Sequence, residues 1–138
     1  MHTALVIYKN ELGPHHREVG RILYLLASIS SDQGKYAQAE PLYREALAIA
    51  ENGPSPQPRF FADIQLALAV NSYSQGKFVQ AELLLKQAAE VYINVLGLKY
   101  ATSRLEQVAS ALRKREQETE ATLIEEYIKR IQNEHLSS

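Results

Sequence analysis

A ten-residue phrase, Gly34-Lys-Tyr-Ala-Gln-Ala-Glu-Pro-Leu-Tyr43, comes back 42 residues later as Gly76-Lys-Phe-Val-Gln-Ala-Glu-Leu-Leu-Leu85. The segments that follow, Arg44-Glu-Ala-Leu-Ala-Ile49 and Lys86-Gln-Ala-Ala-Glu-Val91, keep the same register. An earlier partial copy, Ala4-Leu-Val-Ile-Tyr8, stands 42 residues before Ala46. A fixed period of this length calls for stacked supersecondary units, because one unit cannot bury its own apolar face. The expected fold is therefore an all-α array.

Within each period the apolar spacing is helical. Ala4, Leu5, Tyr8 and Leu12 predict a helix over residues 2–12, ended by Gly13-Pro14. Val19, Ile22, Leu23, Leu26, Ala27 and Ile29 predict the next, from about His16 to Gln33. Gly34 breaks it, and a helix over 36–51 follows, with Pro41 in its early turns. Asn52-Gly-Pro-Ser-Pro-Gln-Pro58 reads as a stiff turn inside one array, a linker between domains being the rival. Helices over 59–75 and 78–96 repeat the pattern, and Leu96-Gly97 repeats the ending at Leu12-Gly13.

After Gly97 the chain has no glycine or proline. A third corner belongs near Glu118, but Arg113-Lys-Arg-Glu-Gln-Glu-Thr-Glu120 contains good helix formers and no breaker. One long helix over about 100–134 is expected, with a hairpin hinged at 117–120 as the alternative. On a continuous helix Leu123, Ile124, Tyr127, Ile128 and Ile131 would project as an uncovered apolar stripe. Such a stripe points to an interface, foremost self-association and secondly a cap on residues 78–96 or a docking helix.

The Gly-Lys-aromatic corners and the small residues Ala39, Ala46, Ala81 and Ala88 resemble tetratricopeptide repeats. Alanine at these places lets helices cross closely while large neighbours fill the spaces between. The 42-residue period and the phrases Ala39-Glu-Pro-Leu-Tyr43, Glu45-Ala-Leu-Ala-Ile49 and Leu12-Gly-Pro-His-His16 resemble the kinesin-light-chain subtype. The likeness spans roughly residues 4–112. Ser30 and Ser72 replace a tyrosine of the pattern, and Arg17 stands in place of an inter-repeat proline.

The resemblance implies one domain over 1–138, an α-solenoid of about two and a half repeats. A lone second helix occupies 1–13, repeats occupy 16–52 and 59–97, and a divergent third repeat or long helix occupies 99–136. It also implies a groove lined by first helices. That groove would carry Arg21, Tyr24, Leu25, Ser28 and Asp32, then Asp63, Leu66, Ala67, Val70, Tyr73 and Ser74. This set suits an apolar or amphipathic segment anchored on Tyr24, Leu66 and Tyr73. It lacks the lysine and asparagine arrangement that holds a C-terminal carboxylate in chaperone-binding relatives, and it lacks a dense basic wall.

Catalysis finds no support in the residues. There is no cysteine, so thiolate chemistry, disulfides and cysteine-based zinc sites are out. No nucleophile elbow, phosphate loop or carboxylate pair is visible. Adjacent His15 and His16 do not face one way on a helix, and His16 reads as structural. No metal and no cofactor are expected. A net charge of −1 without a basic stripe argues against nucleic acid. Apolar runs fall far short of the ~20 residues that span a bilayer, and the amino-terminal stretch lacks the basic region of a secretory signal. The expected partner is another protein, met in the cytoplasm, with a homo-oligomer through the C-terminal helix as the alternative.

Overall fold

The computed structural model describes residues 2–53 and 57–136. Seven helices account for the described elements: α1 (His2–Leu12), α2 (Arg17–Asp32), α3 (Tyr36–Asn52), α4 (Pro58–Ser74), α5 (Phe78–Leu96), α6 (Leu98–Lys114) and α7 (Glu118–Leu136). The expected all-α array is present. The middle of the proline-rich turn, residues 54–56, lies outside the described residues. The chain divides into two compact units, Met1–Ala88 and Ala89–Ser138.

In the first unit the corner between α2 and α3 has a defined cause. Gly34 sits at φ +79°, its N–H donating to the Ser31 carbonyl (2.9 Å) while the Lys35 N–H donates to that of Ser30 (2.8 Å). This crossed pair closes a helix through a left-handed residue. Gly76 repeats it at φ +77°, with bonds from Gly76 to Tyr73 (3.0 Å) and Lys77 to Ser72 (2.9 Å). The next helix then starts at Tyr36 or Phe78, and its first turn places Ala39 or Ala81 in the interior, both fully buried. Close approach of α2 and α3 also uses Gly20, where a methyl group would meet Ile49 Cγ2 at 3.0 Å. One period later that position is Ala62, again fully buried.

Polar ties lock the repeats together. Asn71 on α4 donates from Nδ2 to the Tyr36 carbonyl at the start of α3 (3.0 Å). Glu40 accepts from Lys77 Nζ (3.1 Å) and Gln75 Nε2 (3.2 Å), with Arg44 Nε at 3.5 Å from its other oxygen. Burial alone would raise the Glu40 pKa, but these donors outweigh it and hold the carboxyl below its ordinary value of 4.5. His16 caps α2: its Nδ1 accepts the Glu18 N–H at 3.1 Å, the structural role read from the sequence.

The second unit corrects the expectation of one long helix. α6 ends at Lys114 and α7 begins at Glu118, and the two pack on each other as a hairpin. The breaker is a conformation: Glu116 adopts φ +62°. Glu116 N–H donates to Arg113 (3.1 Å) and Gln117 N–H to Leu112 (2.9 Å), the same crossed pair that closes α2 and α4. Arg113 then spans the corner, its Nε 2.8 Å from Glu118 and its guanidinium fork on both oxygens of Glu125. That hydrogen-bonded fork keeps the Glu125 carboxyl below, and the Arg113 guanidinium above, their ordinary ranges.

The C-terminal stripe is consequently interior. Ile124, Tyr127, Ile128 and Ile131 are buried and Leu123 is half-buried. The expectation of an exposed self-association surface on this helix fails, because the turn at Glu116 folds α7 back instead of letting it project.

Candidate functional site

The exposed side of the first helices, α2 and α4, is where the sequence placed its candidates. Arg21, Leu25 and Asp32 are exposed, while Tyr24, Ser28, Asp63, Ala67, Val70 and Ser74 are half-buried. Leu66 and Tyr73 are buried. As anchors for a partner those two are corrected: they fill the interior, with the Tyr73 ring 6.2 Å from that of Phe78. Helical spacing alone could not separate the groove side of α4 from its packed side, since apolar residues surround that helix.

An open cleft of about 550 Å³ lies at the amino-terminal turns of α2 and α4, lined by Arg17, Arg21, Gln57, Pro58, Arg59, Phe60 and Asp63. It brings together two residues of the expected groove, Arg21 and Asp63, and adds five that the sequence reading missed. One signal for the omission was present. Arg17 and Arg59 are 42 residues apart, so each repeat places an arginine at the same early position of its first helix.

Phe60, the aromatic residue of the lining, is positioned by a ring contact with Tyr24. Tyr24 meets Phe60 edge-on at 5.6 Å and Tyr43 at 6.1 Å. The Tyr43 hydroxyl lies 3.3 Å from Ser28 Oγ, and burial pushes its pKa up to about 12 despite that bond. Tyr43 thus stays a neutral phenol and a packing residue at any ordinary pH. Phe60 presents its remaining surface beside the arginines, half-buried.

Electrostatically the cleft reverses the sign of the whole chain. Net charge is −1 overall, yet the lining holds three arginines against one aspartate. Arg21 lends one N–H to Glu18 at 3.2 Å, an exposed contact one helical turn away. Arginine's planar fork suits carboxylate groups through paired hydrogen bonds. The α4 terminus adds to this, since Gln57 makes no side-chain cap there.

No group of three His, Asp or Glu side chains placed to hold a metal ion occurs among the described residues. Among those residues, too, no helix is long and apolar enough to cross a membrane.

Stacked helical hairpins that present an open face define a repeat scaffold. A family model for the tetratricopeptide repeat matches residues 1–52, and a second with the same description matches residues 31–92. Residues 1–92 of this chain are therefore tetratricopeptide repeats. Such repeats generally mediate protein–protein interaction, and their all-helical fold is typically a non-enzymatic scaffold. A comparison with curated proteins found no match.

Proposed function

We propose that this protein is a non-catalytic recognition module that binds an acidic, partly apolar segment of another protein along α2 and α4. The observation that carries the reading is the arginine pair Arg17 and Arg59, one period apart on a shared cleft wall with Arg21 and Phe60. Carboxylates of the segment would take the guanidinium forks, and an apolar side chain would lie on Phe60 and continue toward Leu25 and Val70. The expected segment, apolar or amphipathic from the sequence, is thereby narrowed to an acidic and partly apolar one, because Leu66 and Tyr73 are buried. A kinesin-light-chain-like subtype fits the recurrence of the Gly13 ending at Gly97, two 42-residue periods apart, both at φ +94°.

The test uses fluorescence anisotropy with a short labelled peptide of alternating glutamate and leucine. Binding is expected to weaken steeply with added salt and by more than about tenfold in the Arg17→Glu, Arg59→Glu double variant. A lysine–leucine peptide that binds as well as the glutamate peptide would reject the proposal.

A further inference from the structure

Four charged side chains of the arginine cleft form two ranks, since Arg17 and Arg59 stand 42 residues apart and so do Arg21 and Asp63. The outer rank, in the first turns of α2 and α4, is arginine on both helices. The inner rank lies one turn further along each helix, about 6 Å at the usual rise per residue. There the two repeats carry opposite charges: Arg21 keeps the sign of the outer rank and Asp63 reverses it. The place that Glu18 holds on α2 is taken on α4 by Phe60, one period on. The wall that carries the reversed charge is therefore also the one that carries the aromatic surface.

We propose that Asp63 is the specificity-determining residue of this cleft, selecting a segment with a cationic side chain about 6 Å from the carboxylate held by Arg17 and Arg59. The inference rests on the reading of the cleft as acid-binding and narrows it to a segment of mixed charge. A uniformly acidic segment reaching past the outer rank would set a carboxylate against Asp63, and such like-charge contacts are what exclude wrong partners. Asp63 is half-buried whereas Arg17, Arg21 and Arg59 are exposed, so water screens its charge less than theirs. A carboxylate offers about four acceptor positions, so a bond within the chain leaves room for a donor from the ligand. The spacing fits an extended segment, in which side chains two residues apart share a face at roughly 6.6 Å. Acid and base would then alternate with an apolar residue between them. Phe60 lies in sequence between the two ranks of α4, where the methylenes of a lysine stem can pack.

Fluorescence anisotropy on the 138-residue chain tests it, using the glutamate–leucine peptide and a set in which one glutamate at a time is replaced by lysine. The best lysine-bearing peptide is expected to bind at least as tightly as the parent, despite its smaller negative charge. Asp63→Asn should lower the affinity of that peptide relative to the parent by about threefold or more. Asp32→Asn, an exposed change on α2 outside the cleft lining, should leave the ratio where it was. Weaker binding of every lysine-bearing peptide, a ratio unmoved by Asp63→Asn, or an equal response to Asp32→Asn would overturn the inference. The acid-binding reading fails by a different result, a parent peptide whose affinity is unchanged in the Arg17→Glu, Arg59→Glu variant. That result would remove the carboxylate anchor and this inference with it.

Discussion

Two clefts of nearly equal size, one on α2 and α4 and the other on α6, have linings that differ in kind. The cleft at the start of α2 and α4, about 550 Å³, holds Arg17, Arg21 and Arg59 around Phe60. The one on α6, about 560 Å³, is lined by Ser103, Glu106, Gln107, Ser110, Ala111 and Lys114, with one charge of each sign and no aromatic ring. Equal volume with unequal chemistry shows that packed helices supply a surface and that individual side chains decide what the surface can recognise. The corners make the complementary point: Gly34, Gly76 and Glu116 build the same turn from different residues.

Breaking the hairpin of the second unit should have the largest effect. Ile124 is fully buried on α7, and Ile124→Ala is expected to cost about 3 kcal/mol of stability in denaturant unfolding. A negligible cost would mean that α7 does not fold back. The two clefts are contrasted by Glu106→Lys, which should leave acidic-peptide affinity within about twofold, against the tenfold loss for the arginine double variant.

The corners respond with opposite signs. Gly76→Ala forces a left-handed alanine with nothing within 4 Å to relieve or worsen it, and should lose about 1 kcal/mol. Glu116→Gly removes that strain and should gain about 0.5 kcal/mol after the added chain entropy. Thermal melts of both variants check the pair, and two changes of equal sign would disprove a shared turn.

A smaller effect is expected with acid. Because Glu40 titrates below 4.5 in the folded chain, its stabilising bonds to Lys77 and Gln75 are fully present above pH 4.5 and fade as pH falls through the lowered value. Glu40→Gln should flatten that part of the stability–pH curve.

Much of the fold was legible because glycine and alanine mark the places where the backbone has least room. Gly34, Gly76, Ala39 and Ala81 announce their corners by residue type. Glu116 announces nothing, since a left-handed glutamate is set by the crossed hydrogen bonds and the Arg113 bridge around it. The absence of a breaker therefore favoured one long helix over about 100–134 where the chain forms a hairpin. On the candidate site, Arg21 and Asp63 were legible from helical register. Gln57 and Phe60 were not, because the cleft forms where two helices separated by a whole period come together. Leu66 and Tyr73 erred the other way: a helix with neighbours on several sides has no single apolar stripe from which the open side can be read.

The central claim is that recognition belongs to the arginine cleft and not to the repeat surface at large. Amide chemical-shift mapping of the intact chain, titrated with the glutamate–leucine peptide, tests it most directly. The largest shifts are expected at Arg17, Arg21, Arg59 and Phe60, with Ser103, Glu106, Gln107 and Ser110 unmoved. Shifts of similar size on α6, or none around Arg17 and Arg59 when the peptide is bound, would contradict the account.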